Sequence, residues 1–172
     1  RLMTRRNLLT GAVTIFMLLC LINDVFYTAP VPSHWHKPST NHKYYIASLL
    51  HNSKSILPRY KRSLVQLVKE LGPENVFVSI YENDSTDGTP VMLRELNQRL
   101  RQMGAQTHIV TTKQPGEILR KERIERLSLY RNLAMEPLNS VAHGGIRGQP
   151  FNKVIWINDV LFEPSTVHAL LD

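Results

Sequence analysis

The chain has 172 residues, of which 42% are apolar, enough for one folded domain with or without a tether. Its net charge of +7 raises the possibility of nucleic-acid binding. However, Arg1, Arg5 and Arg6 lie at the N-terminus, and from Lys43 onward 17 basic and 13 acidic residues leave only +4, so we expect no nucleic-acid partner. The single cysteine, Cys20, excludes an intrachain disulfide and a CxxC zinc cluster.

The N-terminal segment predicts membrane attachment. Residues 8–22 carry no charge, and extending them to residue 27 gives about 30 Å of helix, enough to cross a bilayer. The basic residues before this run favour a cytoplasmic tail at 1–7 and a signal anchor at 8–27. A cleaved signal peptide and a buried core helix are the alternatives. Residues 28–43, which are rich in proline and polar residues, are typical of an extended stem.

The rest of the chain alternates between strands and helices. Short apolar or β-rich runs predict strands at 44–52, 75–81, 107–112 and 153–159. Helical spacing predicts helices from Pro58 to Leu71, from Thr89 to Met103, from about Glu117 to Met135, and from Pro164 onward. In the third of these helices we expect four residues to face inward: Ile124, Leu127, Tyr130 and Ala134. Glycine-rich residues 139–150 predict a loop.

This alternation predicts an α/β domain with a mostly parallel sheet flanked by helices. In such sheets ligands bind outside the carboxyl ends of the strands. Glu82, Asn83 and Asp84 follow the second predicted strand, and Asp159 ends the fourth. We therefore expect these two acidic clusters to share one rim, where they could bind sugar hydroxyls or base nitrogens, or hold a hard cation that neutralises a diphosphate.

The acidic stretch after the second strand has two other interpretations. Residues 84–87 are all good turn and cap formers, with Thr89 as a helix cap and Pro90 opening the helix. A calcium loop is the other, but counting from Asn83 the twelfth position is Arg94 instead of a glutamate. The alternatives without a functional role are that Asp159 is a turn residue at the end of its strand, and that Arg131 and Asn132 lie on a solvated helix face. No Walker or GxGxxG motif is present.

Several stretches together resemble one enzyme family. The sequence ENDSTDGT after a strand is similar to the turn of nucleotide-sugar-dependent glycosyltransferases with the GT-A fold. The wider set IASLLHN, ILPRY, LGPENVFVSIYENDSTDGT, RIERLSLYRNLAMEPL and FNKVIWINDVLFEPSTVHALL resembles the fungal capsule-associated α-1,3-mannosyltransferases, glycosyltransferase family 69. The resemblance covers residues 44–172 and implies the N-terminal, nucleotide-sugar-binding part of a GT-A-like (Rossmann-like) domain that is incomplete here.

The resemblance also implies an activity and a location. Members transfer mannose from GDP-mannose to a glycan acceptor with a divalent metal, usually Mn²⁺. They are single-pass type II proteins of the Golgi membrane, with the C-terminal domain in the lumen. This agrees with the signal anchor inferred from the residues themselves.

The resemblance assigns roles residue by residue. It implies that Glu82, Asn83 and Asp84 contact the nucleoside, while Asp87 braces the turn. It implies that Arg131 and Asn132 face the donor diphosphate. In addition, Asn158 and Asp159 take the place of the DxD motif, with Asp159 as the metal ligand and Asn158 helping through its amide oxygen.

One departure from the pattern keeps a second function open. Ile157 stands where a strict DxD has its first aspartate, so one of the two acidic residues of that motif is missing. The rival hypothesis is therefore a membrane-tethered relative that binds a nucleotide sugar or a partner enzyme without turnover. No catalytic nucleophile or base follows from the sequence.

Overall fold

The fold was analysed from a computed structural model that describes residues 42–112, 121–141 and 145–171. Within these residues, four strands form one sheet: β1 (Tyr44–Leu50), β2 (Val76–Glu82), β3 (Gln106–Val110) and β4 (Lys153–Trp156). The same described ranges contain four α-helices: α1 (Leu57–Leu71), α2 (Thr89–Gln102), α3 (Arg123–Val141) and α4 (Pro164–Leu171). A short 3₁₀ turn, Pro73–Asn75, leads into β2.

The sheet is parallel throughout, in the order β3-β2-β1-β4. β1 pairs with β2 from Tyr44 opposite Val76 to Leu50 opposite Glu82, and with β4 from Tyr44 opposite Lys153 to Ala47 opposite Trp156. The predicted α/β class with a parallel sheet is thereby confirmed. The strand order reverses between β1 and β4, and in open α/β sheets ligands bind at such a switch point.

The helices cover both faces of the sheet, which explains why β1 and β2 are apolar almost throughout. Alternate residues of these strands, including Ile46 and Ile80, pack against α1 and α2, and Val167 of α4 belongs to the same core. The other set faces α3, where the Tyr45 and Phe77 rings stack with centroids 5.3 Å apart. At α4, the Glu70 carboxylate of α1 lies 2.9 Å from His168 Nε2.

Helix ends largely follow the local signals in the sequence. Pro58 lies in the first turn of α1, and Gly72 ends that helix with a φ of +85°, a left-handed conformation that glycine adopts without strain. Gly104, with a φ of +95°, follows α2 in the same way. Thr89 was predicted as the cap of α2 but is its first helical residue. The N-cap residue is Gly88, and the Thr89 N–H donates to the carboxylate of Asp87 across 2.9 Å, so Asp87 satisfies the first free N–H of the helix.

The third helix departs most from the sequence prediction. Its described part begins at Arg123, whereas the predicted start at Glu117 lies outside the described residues, and it runs on to Val141 instead of ending at Met135. Ile124, predicted to face inward, is 84% exposed. At 3.6 residues per turn it lies about 120° around the helix from Tyr130, which is buried as predicted together with Ala134.

Contacts with the sheet explain why α3 continues through Pro137. Proline has no N–H to donate to the carbonyl of Leu133, four residues earlier. At the next residue, the hydroxyls of Tyr45 and Ser79 both donate to the Ala134 carbonyl, across 2.8 Å and 2.7 Å. These bonds hold α3 on the sheet before Pro137, and Leu138 packs against the cluster of Tyr45 and Phe77 after it. The helix therefore continues past the proline against its local preference.

The predicted N-terminal anchor falls outside the described residues. Residues 1–41, which include the predicted tail, the predicted membrane segment at 8–27 and most of the predicted stem, are among those the structure does not describe. Among the described residues, no helix is both long and apolar enough to cross a membrane.

Candidate functional site

The carboxyl ends of β1, β2 and β4 open onto one edge of the sheet. Since the three strands are parallel and in register, the turn after Glu82 and the residues after Trp156 lie at this same edge. The pairing of β4 ends at Trp156, and Asp159 follows three residues later in the chain. β1 lies between β2 and β4, so the carboxyl ends of these two strands are two strand spacings, roughly 10 Å, apart. The strand directions agree with the prediction that the two acidic clusters lie at one rim.

Hydrogen bonds tie the loop after β1 to the turn after β2. The N–H of Asn52 donates to Ser85 Oγ across 2.8 Å, and that of Ser53 donates to Thr89 Oγ1 across 2.8 Å. The N–H of Lys54 donates to Asp87 Oδ2 across 3.0 Å. The two loops therefore form one ordered surface beside the switch point.

The Asp87 carboxylate serves this connection. Burial raises its pKa, but the hydrogen bonds from the Thr89 hydroxyl, from the Thr89 and Lys54 N–H groups, and the Lys54 charge outweigh burial, so the pKa lies below its ordinary value. The expectation that Asp87 braces the turn is confirmed.

Glu82 ends β2 with its side chain inside the protein. It is 2% exposed, and its Oε1 accepts the N–H of Ser85 across 2.5 Å. In this position the Glu82 carboxylate shapes the turn from within, and a direct contact between Glu82 and a ligand stays a prediction.

Asn83 and Asp84 form the half-buried part of the turn. The Asn83 N–H donates to the Leu50 carbonyl across 3.1 Å, which extends the strand pairing by one residue. Its side-chain Oδ1 is out of contact with solvent and has no hydrogen-bond partner in the described part of the chain. Asp84 has a φ of +56°, a left-handed conformation that aspartate tolerates better than most residues. Such a backbone is often kept at binding sites.

Aromatic side chains support the turn from the α3 side. The ring of Tyr130 stacks on that of Tyr81 with centroids 5.6 Å apart. Burial raises the pKa of the Tyr130 hydroxyl, the charge of Asp84 raises it further, and the charge of Arg126 lowers it. Asp84, Tyr130 and Arg126 are therefore close enough to interact electrostatically, and they join the turn to the first turns of α3.

At the β4 end the structure presents a carboxylate to solvent. The strand stops at Trp156 instead of the predicted 159, although the Ile157 N–H still donates to the Ala47 carbonyl across 2.9 Å. Asn158 Oδ1 accepts the indole N–H of Trp156 across 2.7 Å, so this amide oxygen is already engaged. Asp159 is exposed and makes no hydrogen bond or ion pair within the described residues.

Comparison with known proteins identifies the family. Residues 43–172 match the protein-family model described as Cryptococcal mannosyltransferase 1. The chain belongs to this capsule-associated mannosyltransferase family. No curated protein and no solved structure matches the chain.

The resemblance assigned two residues of α3 to the donor, and both are exposed. Among the described residues, neither the Arg131 nor the Asn132 side chain makes a hydrogen bond or ion pair. Asn132, two residues after Tyr130, lies about 200° around the helix and faces away from the sheet. The structure thus groups Asp84 with Tyr130 and Arg126, while diphosphate contacts by Arg131 and Asn132 stay predictions.

The described residues of the rim could bind a divalent cation only together with a substrate. Where the chain is described, no group of three histidine, cysteine, aspartate or glutamate side chains could hold a metal ion. This argues against a protein-only cage such as the calcium-loop alternative, since Glu82 and Asp87 also bond to their own turn. A magnesium-like ion instead binds through one or two carboxylates plus substrate phosphates. The free carboxylate of Asp159 fits that role.

Three residues of the rim were not predicted from the sequence. His51 and Asn52 follow β1 and bond to the turn after β2. Arg126 lies one helical turn before Tyr130 on the same side of α3, so the spacing of Tyr130 and Ala134 extended backward could have found it. The sequence analysis placed His51 and Asn52 inside the first predicted strand, 44–52, whereas β1 ends at Leu50.

Proposed function

We propose that this protein is a glycosyltransferase that transfers mannose from GDP-mannose to a glycan acceptor, forming an α-1,3 linkage. The observation that carries the proposal is the shared rim. Asn83 and Asp84 lie at the carboxyl end of β2, and Asp159 follows β4 across the switch point. The family match over residues 43–172 supports mannosyl transfer as the reaction.

Each part of the donor has a chemical counterpart at the rim. We assign the nucleoside to the turn of Asn83 and Asp84, where carboxylate and amide oxygens accept hydrogen bonds from ribose hydroxyls or base N–H groups. The diphosphate lies between this turn and Asp159, within reach of cationic residues of α3, for which we retain Arg131 beside Arg126. Asn158 and Asn132 complete the proposed donor contacts, with Glu82 supporting the turn.

A divalent cation, Mn²⁺ or a similar ion, belongs to this proposal, with Asp159 as its protein ligand. When bound, such an ion neutralises charge on the departing diphosphate. The α-linked donor and the α-linked product imply retention of configuration. The chain's own contribution is to orient the donor between two ordered loops and to keep the Asp159 carboxylate unengaged.

The proposed location is the Golgi membrane. A signal anchor at 8–27 with a basic tail before it would orient the chain as a single-pass type II protein, with the stem and domain in the lumen. GDP-mannose, the glycan acceptor and the membrane are the proposed partners, and nucleic acid is not among them.

One observation favours a second candidate, a relative that binds a nucleotide sugar or a partner enzyme without turnover. Ile157 occupies the first acidic position of a strict DxD motif, and its side chain is buried. Asn158, the next residue, has its amide oxygen engaged by Trp156. Binding without catalysis would distinguish this candidate from the enzyme.

A transfer assay decides between the two. The 172-residue chain, purified in mild detergent, is incubated with radiolabelled GDP-mannose, a mannan acceptor and Mn²⁺, beside GDP-fucose and UDP-glucose. The proposal predicts mannose incorporation that falls roughly 100-fold in Asp159→Ala. Glu163→Ala is the matched control, because Glu163 is an exposed carboxylate nearby whose 3.8 Å pair with Arg59 is worth little. Binding of GDP-mannose without incorporation would favour the second candidate.

A further inference from the structure

His51 is exposed, yet both of its ring nitrogens are engaged by the protein. Its Nδ1 lies 2.6 Å from the main-chain carbonyl oxygen of Asn83. A carbonyl oxygen only accepts hydrogen bonds, so Nδ1 must carry a proton and donate it. The imidazole thus reaches from the end of β1 to the turn that follows β2.

The neighbouring Asn52 fixes the other ring nitrogen. Asn52 Oδ1 accepts the Thr86 N–H across 2.9 Å, which makes its Nδ2 the donor group. That Nδ2 lies 3.1 Å from His51 Nε2, so Nε2 accepts and carries no proton. Taken together, the two contacts define a neutral imidazole protonated on Nδ1.

Both loops at this contact contain a residue with an unusual backbone conformation. Asn52, after β1, has a φ of +48°, and Asp84, in the turn after β2, has a φ of +56°. Non-glycine residues seldom occupy this left-handed region. The Asn52 main chain adds a third bond by donating to Ser85 Oγ. The His51–Asn52 pair therefore bonds to three residues of the turn, Asn83, Ser85 and Thr86.

We propose that His51 and Asn52 are positioning residues that preset the turn of residues 83–85 for the nucleoside part of a nucleotide-sugar donor. This inference rests on the proposed function, since it takes that turn as the donor site. A turn ordered before binding spares the ligand the cost of ordering it, which increases affinity without a new contact. His51 acts through Asn83 and does not itself touch the donor.

Three substitutions separate this role from a direct ligand contact. In His51→Asn the amide nitrogen lies as many bonds from the backbone as Nδ1 and can donate to the Asn83 carbonyl, but the ring is lost. In His51→Phe the ring remains and both hydrogen bonds are lost. His51→Ala loses both features. The control is His108→Ala, which removes an exposed histidine on the edge strand β3.

Two measurements on the 172-residue chain test the proposal. Amide hydrogen exchange of residues 83–86 without ligand reports the turn, and titration with GDP-mannose reports its consequence. We expect exchange to speed up and the Kd to rise by roughly 3- to 10-fold in the Ala and Phe variants, the range for one or two lost hydrogen bonds. The Asn variant should restore both, and His108→Ala should change neither. A long-range ¹H–¹⁵N spectrum should place the His51 proton on Nδ1.

The contrary outcomes are distinct. If the exchange rates of residues 83–86 are unchanged in His51→Ala, His51 does not order the turn and the proposal is wrong, whatever the Kd for GDP-mannose. Faster exchange with unchanged affinity overturns its role in binding. If His51→Phe binds like the wild type and His51→Asn does not, His51 is a stacking surface and the proposal is wrong. If the wild-type chain binds no GDP-mannose, the proposed function fails, and the role of His51 and Asn52 in donor binding fails with it. The exchange data would still show whether these two residues order the turn.

Discussion

Lys54 donates its main-chain N–H to the carboxylate of Asp87 across 3.0 Å, although the two residues lie in loops after different strands. The other oxygen of the same carboxylate accepts the Thr89 N–H at the start of α2. One side chain thus connects the loops after β1 and β2 and binds the first N–H of α2. The donor site proposed here depends on this connection, because the turn at Asn83 and Asp84 belongs to the loop that Asp87 ties to Lys54.

Replacing Asp87 with asparagine should loosen this connection. The amide keeps one acceptor oxygen and loses the charge and the second acceptor, so we expect the free energy of unfolding to fall by about 1 kcal/mol, at the low end because solvent screens the site. Denaturant unfolding at pH 7 measures the change. An unaltered midpoint would contradict the capping role.

The effect of Asp87 should depend on pH. Its pKa in the folded chain lies below the ordinary 3.8, so its contribution to stability is complete above that value and is lost as the pH falls through the folded pKa. The stability difference between the wild type and Asp87→Asn should therefore shrink below about pH 4. A difference that stays constant down to pH 2 would contradict this assignment.

The Ala134 carbonyl should show coupling between its two hydroxyl donors. Tyr45→Phe or Ser79→Ala alone leaves one donor and should lower the free energy of unfolding by about 1 kcal/mol. The double variant leaves a buried carbonyl without either hydroxyl, so its cost should exceed the sum by roughly 0.5–1 kcal/mol. Tyr44→Phe is the matched control, because Tyr44 is the neighbouring buried tyrosine of β1 and no hydrogen bond of its hydroxyl is described. Additive losses would contradict the shared acceptor.

Tyr60 should make the protein sensitive to alkali. Burial raises the pKa of Tyr60 to about 12, against a smaller opposite effect of its 2.5 Å hydrogen bond with Ser48. Because the folded pKa exceeds the unfolded value near 10, the contribution of Tyr60 to the free energy of unfolding is complete below pH 10 and is lost as the pH rises toward 12.

Tyr60→Phe should be less stable at pH 7 by about 1–2 kcal/mol, because it leaves the buried Ser48 hydroxyl unpaired. It should also lose less stability than the wild type between pH 10 and 12. Equal alkaline slopes would contradict the assignment.

Asn83 should carry no glycan although Asn83-Asp84-Ser85 forms an acceptor sequence. Its side-chain oxygen is out of contact with solvent, and its main chain bonds to both Leu50 and His51. Intact-mass measurement of chain expressed through a eukaryotic secretory pathway should show the same mass before and after glycosidase treatment, as for an Asn83→Gln control. A glycan at Asn83 would count strongly against a nucleoside site at this turn.

Local signals in the sequence were sufficient for most of the fold. Gly72 and Gly104 stop α1 and α2 where predicted, because a left-handed residue after a helix is a property of glycine itself. The continuous apolar runs of β1 and β2 predict central parallel strands for the same kind of reason. The acidic turn and Asp159 could be placed on one rim because parallel strands have their carboxyl ends at one edge.

Long-range contacts set the features that the sequence could not predict. α3 continues past Pro137 while hydroxyls from two strands bond to the Ala134 carbonyl and Leu138 packs on the sheet, and the residues of α3 alone do not predict these contacts. The tie between His51 and Asn83 likewise joins residues far apart in the chain. The Glu82 carboxylate points into the turn, where it accepts the Ser85 N–H, and the residue types alone do not specify this contact.

Calorimetric titration of GDP-mannose into the folded 172-residue chain, with and without Mn²⁺, tests the central claim most directly. The account predicts binding that Mn²⁺ strengthens, that Asp159→Ala weakens by at least about tenfold in the presence of the metal, and that Glu163→Ala leaves unchanged. If Asp159→Ala binds the donor with the same affinity and the same metal dependence as the wild type, or if the folded wild-type chain binds no donor, the rim formed by β1, β2 and β4 is not the donor site.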